Sequence, residues 1–259
     1  MSIRAEQEKR LRATIDWARK LRADLGPLQR SHGDRIHFRP ASTGFSMVGL
    51  LPDRPQRGKS GLTNLQSVAA NFEKLFDAHC RNIEQGRITG EKALQSFLIR
   101  EAYMSERRMV SLNAASSTTS DPVDLWFITD ELALPGDDGK VVCDLLVLRR
   151  DGGRFTPVLL ELKDDRQLTR LVQQVDSYSR LMDEHAGLFG ELYGTILGEP
   201  ITFDGCTEKW IMWPAAGEDR DPREAELAQR GIRVVGYTTD NSAGYRLRVG
   251  CGVSSSTAH

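Results

Sequence analysis

Two apolar stretches, Val141 to Leu148 and Pro157 to Lys163, constrain this chain more than any other feature. Neither alternates apolar with polar residues, as a strand with one wet face would. Strands covered on both faces read this way, so a sheet with a layer on each side is expected. Asp151-Gly152-Gly153 lies between the runs and supplies the residues of a hairpin turn. Three charged residues interrupt the apolar runs: Asp144 in the first, Glu161 and Lys163 in the second. An unpartnered carboxylate inside a sheet is expensive, so three ionisable groups there need a shared reason. The side-chain period of a strand is two, which puts Glu161 and Lys163 on one face, about 7 Å apart. With Asp144 on the same face, two carboxylates and one ammonium meet at one point.

Such a group has the chemistry for metal-assisted phosphodiester hydrolysis. Asp144 and Glu161 supply hard oxygen ligands for Mg²⁺ or Mn²⁺. A bound metal polarises the phosphoryl group and the attacking water. Lys163 can hold that water or offset charge on the phosphate. The plainer alternative is a buried salt bridge between two strands, but a structural pair does not need the second carboxylate.

The helix expected from about Arg166 to Glu184 adds Gln174 and Tyr178, one turn apart, beside the apolar stripe Leu171, Val172, Val175 and Met182. Asp144, the hairpin, Glu161-Leu162-Lys163 and Gln174-x-x-x-Tyr178 together resemble the PD-(D/E)XK nuclease superfamily, in its RecB-like Q-x-x-x-Y branch. Cys143 stands where the proline that names the superfamily would be. The resemblance implies a restriction-endonuclease-like fold, with Asp144, Glu161 and the Leu162 carbonyl as metal ligands and Lys163 positioning water. It also implies that Gln174 and Tyr178 support the metal water or the scissile phosphate, and that a glutamate comes from the first helix of the domain. Glu91 is that candidate, one turn before Leu94-Gln95-x-Phe97-Leu98, and Glu101 is the lesser one. An acid in a first helical turn also favours the helix dipole, with no role in catalysis. Glu91 to Leu98, the E-x-K and the Q-x-x-x-Y resemble, more narrowly, the nuclease domain of Shedu-type anti-phage proteins.

Composition sets the outer bounds. The 259 residues carry 35 Lys and Arg against 36 Asp and Glu, so the molecule as a whole does not attract nucleic acid. Residues 1–60 are an exception, with 13 basic against 6 acidic side chains, a surplus of 7. That surplus suits a phosphate-contacting arm or a solvated helix face equally well. Four cysteines stand far apart, without a C-x-x-C pair, and read as free thiols of a cytoplasmic protein. No apolar run reaches the length of a membrane span. Gly58-Lys59-Ser60 matches only the tail of a P-loop, because Asp53 stands where its first glycine belongs.

Along the chain, periodicity predicts helices over Ile3–Leu25, Leu62–Ile83 and Glu91–Arg107, the last with Thr89 as N-cap. Arg35–Arg39 and Phe45–Leu51 form a hairpin, Leu51–Gly61 a linker, and Asn113–Pro122 a polar loop. Val123–Leu134 is a strand. Past the Q-x-x-x-Y helix come a helix over Gly187–Leu197 and a strand over Lys209–Ala215. A helix from Asp221 to Arg230, a parallel strand over Ile232–Tyr237 and an edge strand over Tyr245–Val249 follow. Trp210 and Trp213 fall on opposite faces of their strand, which favours core packing over base stacking for at least one.

The expected architecture is α/β, a mixed central sheet flanked by helices with a small N-terminal helical and β appendage. Its divisions are an appendage at 1–60, a helical bridge at 61–86, a nuclease-like domain at 87–250 and a frayed tail at 251–259. DNA is the expected partner, RNA an open one, a membrane not expected, and a homo-oligomer possible. The alternative from another class is a nuclease-like module that binds nucleic acid or a partner protein without cutting.

Overall fold

The computed structural model describes residues 2–50, 58–83, 90–118, 122–137, 139–165, 171–215, 222–240 and 244–249. The expected Thr89 cap and the tail at 251–259 lie outside them. The fold is α/β, with a six-stranded mixed sheet and a separate three-stranded sheet.

Helix α1 (Ile3–Asp24) starts at Ser2, whose hydroxyl accepts the Ala5 N–H. Gly26-Pro27 does not send the chain straight to the hairpin; it opens a short helix α2 (Gly26–Ser31), since proline is tolerated in a first helical turn. Strands β1 (Ile36–Ala41) and β2 (Gly44–Gly49) form the expected hairpin. The segment read as a linker differs: its C-terminal part is β3 (Gly58–Leu62), antiparallel to β2, while 51–57 lie outside the described residues. The helix expected from Leu62 is two, α3 (Leu65–Ala70) and α4 (Phe72–Ile83). Asn71 divides them, because its side-chain amide takes the Ser67 carbonyl and competes with the helix ladder.

Helix α5 (Gly90–Met104) ends three residues before the expected Arg107, where Glu106 and Arg107 enter the left-handed region. The start of the polar loop folds as α6 (Val110–Ser116). Asn113, read as loop, accepts the Leu125 N–H at 2.7 Å and so fastens α6 to the sheet.

The large sheet runs β4 (Asp124–Gly136), β5 (Gly139–Asp151), β6 (Arg154–Leu162), β7 (Glu208–Pro214), β8 (Ile232–Asp240) and β9 (Gly244–Val249), in that spatial order. Pairs β4–β5, β5–β6 and β8–β9 are antiparallel; β6–β7 and β7–β8 are parallel. Gly152 and Gly153 turn the β5–β6 hairpin with φ of 54° and 93°, which side-chain-bearing residues resist. Helices α7 (Leu171–Glu184), α8 (Ala186–Leu197) and α9 (Pro222–Gln229) complete the chain. For α7, the expected first turn at 166–170 lies outside the described residues.

The two-faced burial read from the sequence holds. On one face Leu146, Leu148, Leu159, Ile211 and Trp213 meet α7, α8 and the Leu11–Ile15–Ala18 stripe of α1. On the other, Leu145, Val147, Leu160, Leu162, Trp210 and Met212 meet α5 and α6. Both tryptophans are therefore core residues, 1 % and 0 % exposed. A third cluster, Leu21, Leu25, Phe38, Phe45, Val68 and Phe72, holds the small sheet against α1, α3 and α4. Among the described residues no helix is long and apolar enough to cross a membrane.

Candidate active site

The site lies where two paired strands part. The β5–β6 ladder runs from Asp151–Arg154 to a last rung at Leu145–Leu160. Beyond it β5 stays with β4, out to Gly136–Gly139, while β6 continues beside β7. Asp144 and Glu161 are the first residues past the fork. Strand β5 also turns over at Asp144. Cys143 and Leu145 are two apart and would share a face in a regular strand, yet they belong to opposite cores. Across the β4–β5 ladder, Glu131 lies between the Asp130–Leu145 and Leu132–Cys143 rungs, opposite Asp144, with φ of +44°. A non-glycine residue in this conformation inside a strand is strained.

Asp144 Oδ2 accepts the Leu162 N–H at 2.9 Å, so the side chain replaces the backbone partner that β6 loses at the fork. Glu161 is 2 % exposed. Its Oε1 accepts from Lys163 Nζ at 2.8 Å and from Gln174 Nε2 at 2.7 Å. Lys163 Nζ also donates to the Leu162 carbonyl at 2.9 Å and lies 3.9 Å from Glu91 Oε1. Gln174 Nε2 reaches the Val142 carbonyl at 3.1 Å, tying α7 to both arms of the fork. Five of the residues expected at the site, Glu91, Asp144, Glu161, Lys163 and Gln174, thus converge with the Leu162 carbonyl.

Tyr178 does not join them. It is fully buried, and its hydroxyl donates to the Leu132 carbonyl at 3.0 Å. One turn of α7 carries Gln174 to the fork and leaves Tyr178 over β4, so Tyr178 seats the helix. Glu101 is structural as well: its carboxylate accepts the Ser111 N–H at 3.0 Å and the Ser111 hydroxyl, at the start of α6.

Electrostatics follow from the crowding. Burial pushes the Glu161 carboxyl up to about 8; the Asp144 charge beside it adds to this, and Lys163 opposes it. Glu91 is raised too, by burial first and by Asp144 and Asp164 next, against Lys163. Burial disfavours the Lys163 charge, but Glu161, Asp144 and Glu91 hold Nζ above its ordinary value.

Two further residues brace the site, neither visible as a motif. Tyr237, on β8, donates to the Lys163 carbonyl at 3.0 Å. Gln95, on α5 and 1 % exposed, donates to the Asp144 carbonyl at 3.0 Å and to Asp130 Oδ2 at 3.3 Å, and its Oε1 accepts from Lys92 Nζ at 2.8 Å. Gln95 stands in the Leu-Gln-x-Phe-Leu pattern, which by itself signals only a helix. Asp130, on β4, takes its partners from the N-terminal hairpin. Arg39 Nε donates to Asp130 Oδ1 at 2.6 Å and Arg39 Nη1 to Glu131 Oε2 at 2.7 Å. His37 Nε2 lies 2.9 Å from Asp130 Oδ1, and Lys92 pairs with Glu131. Consecutive strand residues normally point apart, and the left-handed Glu131 lets Asp130 and Glu131 face one guanidinium.

The oxygens at the fork fit a hard divalent ion. Among the described residues no three His, Cys, Asp or Glu side chains form a closed metal cage. The convergent donors are two carboxylates and one carbonyl, and Mg²⁺ is commonly held by one or two carboxylates while keeping several waters. The Lys163 ammonium already bridges Glu161 and the Leu162 carbonyl, so a positive charge is stabilised between those oxygens. No protein-family model, curated protein or solved structure matches the chain, and the fork with its donor set is what a functional reading must start from.

Proposed function

We propose that this chain is a metal-dependent nuclease that hydrolyses DNA phosphodiester bonds, as its resemblance to the PD-(D/E)XK superfamily implies. The meeting of Asp144, Glu161 and Lys163 in the strand fork carries this reading. A purely structural pair would satisfy one carboxylate with one ammonium. Here two carboxylates stand side by side at the cost of a strongly raised carboxyl, and such perturbed groups are what functional sites collect.

Asp144, Glu161 and the Leu162 carbonyl would hold Mg²⁺ or Mn²⁺, which when bound polarises the phosphate and lowers the pKa of its water. Lys163 then has two uses. Its ammonium moves from Glu161 to the water or the scissile phosphate, and it offsets charge that grows on the phosphoryl oxygens. Gln174 fixes the Glu161 carboxylate, and Tyr237 fixes the backbone that aims Lys163. Glu91, 3.9 Å from Nζ, holds the ammonium at the mouth of the fork. A role in defence against foreign DNA or in repair, in a cytoplasmic setting, belongs to the same reading, as does assembly into a homo-oligomer.

The test is cleavage of supercoiled plasmid and linear duplex with Mg²⁺, Mn²⁺ or EDTA. Wild type is expected to nick only with metal. Lys163→Ala is expected to lose about 10²–10⁴-fold in rate, while it still binds Mn²⁺ and melts within a few degrees of wild type. Full activity in Lys163→Ala sinks the assignment. A wild type that folds, binds DNA and never cuts moves the protein to the binding-module class.

Gln95 supplies a second check. Gln95→Leu removes the donor to the Asp144 carbonyl without touching a ligand atom. Mn²⁺ affinity, read by titration calorimetry, is expected to fall roughly 10- to 100-fold, the usual effect of losing a residue that orients a ligand. Unchanged affinity would mean that α5 does not set the position of Asp144.

A further inference from the structure

A groove of about 930 Å³ opens beside the fork. Its walls are the first turns of α1, the β4–β5 turn and the outer side of α7, and Arg4, Gln7, Lys140, Gln173, Gln174 and Arg180 line it. We propose that this groove binds a single polynucleotide strand and leads it into the carboxylate site. The proposal rests on the nuclease reading for the fate of the strand, not for its binding.

Continuity comes first. Gln174 belongs to both places: it lines the groove, and its amide touches Glu161 at 2.7 Å and the Val142 carbonyl at 3.1 Å. A chain lying along α7 therefore reaches the fork without leaving the protein surface. The groove exists because β5 parts from β6 after Leu145, so the same divergence that makes the site also makes its approach.

The lining suits a phosphate backbone with its bases turned inward. The side chains of Lys140 and Arg180 are exposed and make no ion pair or hydrogen bond to a described residue. One stands on each side, on β5 and on α7. Two other basic groups nearby are committed: Lys209 to Asp176 at 2.9 Å, Arg4 to Glu8 at 3.4 Å. Two exposed cations with no ion-pair partner among the described residues, one on β5 and one on α7, suit phosphate contacts of the sequence-independent kind. Gln173 and Ser177 offer neutral donors and acceptors for base edges. The acids of the lining, Asp137 and Glu184, are not phosphate contacts; carboxylates accept from the exocyclic amines of bases.

Depth selects one strand over two. Glu161 is 2 % exposed and the Lys163 side chain 20 %. A duplex is too stiff to bend its backbone into such a recess, whereas a flexible single strand can enter a groove of this size.

The experiment measures fluorescence anisotropy in EDTA, so that nothing is cut. The probes are a labelled single-stranded oligodeoxynucleotide, the matching oligoribonucleotide and a duplex, each over a salt series. The proteins are wild type and the double variant Lys140→Ala/Arg180→Ala, neither residue having a place in the carboxylate site. Wild type is expected to bind a single strand at least tenfold tighter than duplex. The double variant is expected to lose roughly tenfold or more of that affinity, with a salt slope shallower by about 1.4, two phosphate contacts on a single strand. Its melting temperature should match wild type. The strand that shows the loss, deoxy or ribo, identifies the sugar. Equal affinity for duplex, or no loss with either strand, overturns the proposal. Loss of binding in the double variant, with wild type inert in Mg²⁺ or Mn²⁺ on plasmid and on the same single strands alike, keeps the groove and removes the nuclease. Plasmid cleavage with unaltered strand binding does the reverse.

Discussion

Glu161→Gln is expected to abolish cleavage and to make the protein more stable in metal-free buffer. Glutamine keeps the shape and the oxygen that accepts from Lys163 and Gln174. It removes the second charge beside Asp144 and gives an amide that can donate to it. The Glu161 carboxyl is held up to about 8 by burial and by Asp144, well above the 4.5 of an unperturbed glutamate. The sign follows from proton uptake. Below pH 4.5 the group is neutral folded or unfolded, and its contribution is fully present. Between 4.5 and about 8 the unfolded chain gives up the proton more readily, so wild-type stability falls as pH rises. The variant has no such loss, and its advantage should grow across that window to about 3 kcal/mol at pH 7. Millimolar Mg²⁺ should raise the melting temperature of wild type and leave that of the variant unmoved, because only a ligand that binds the folded state shifts the equilibrium. Differential scanning calorimetry with EDTA and with Mg²⁺ reads both effects. Equal melting temperatures in EDTA would show that the two carboxylates are not opposed in the folded chain.

The second large effect is on folding. Asp130 is fully buried, gripped by two nitrogens of Arg39 and by His37. Burial alone would raise its carboxyl; Arg39 and His37 outweigh that and hold it far below the usual carboxylate range. Asp130→Ala removes one side of a buried ion pair and leaves Arg39, with 12 % of its side chain exposed, short of its main counter-charge. The expected cost is about 3–5 kcal/mol. In a chain this size that lowers the melting temperature by roughly 6–20 °C. Urea denaturation checks it, and a loss below ~1 kcal/mol would contradict the role given to the network.

Acid should act on the same group. His37 is held below its ordinary 6.5 by burial first, with Asp130 opposing, so the folded state keeps it neutral while the unfolded state takes up a proton. Stability therefore falls as pH drops below about 6.5, and falls further near pH 4, where unfolded Asp130 is protonated and folded Asp130 is not. The N-terminal hairpin supplies both His37 and Arg39, so its attachment to β4 and, through Gln95, to Asp144 loosens in acid.

Much of this was legible in the residues. Val141 to Leu148 and Pro157 to Lys163 read as doubly covered strands because burial on both faces leaves no room for alternation. Asp151-Gly152-Gly153 reads as a hairpin turn because glycine tolerates positive φ. The spacing of Glu161 and Lys163 placed them together because a strand repeats every two residues. Each of these is a local rule, written within a few positions of chain. Errors arose where a local rule had a competitor: Asn71 broke a helix whose apolar stripe continued, and Tyr178 had the right spacing from Gln174 but a carbonyl of β4 to bond.

What remained hidden depends on residues far apart in sequence. The fork after Leu145 exists because β6 pairs with β7, some fifty residues later in the chain. The reversal at Asp144 depends on Glu131 across the ladder, and no composition signals it. Gln95 and Tyr237 became part of the site only when α5 and β8 were laid beside β5 and β6. The sequence by itself determined which ionisable side chains interrupt the apolar runs and that the strands carrying them are buried. Only the tertiary structure decided that those strands part at Asp144, because hydrogen-bond partners across a sheet are chosen by packing between distant segments, and local preference does not encode that choice.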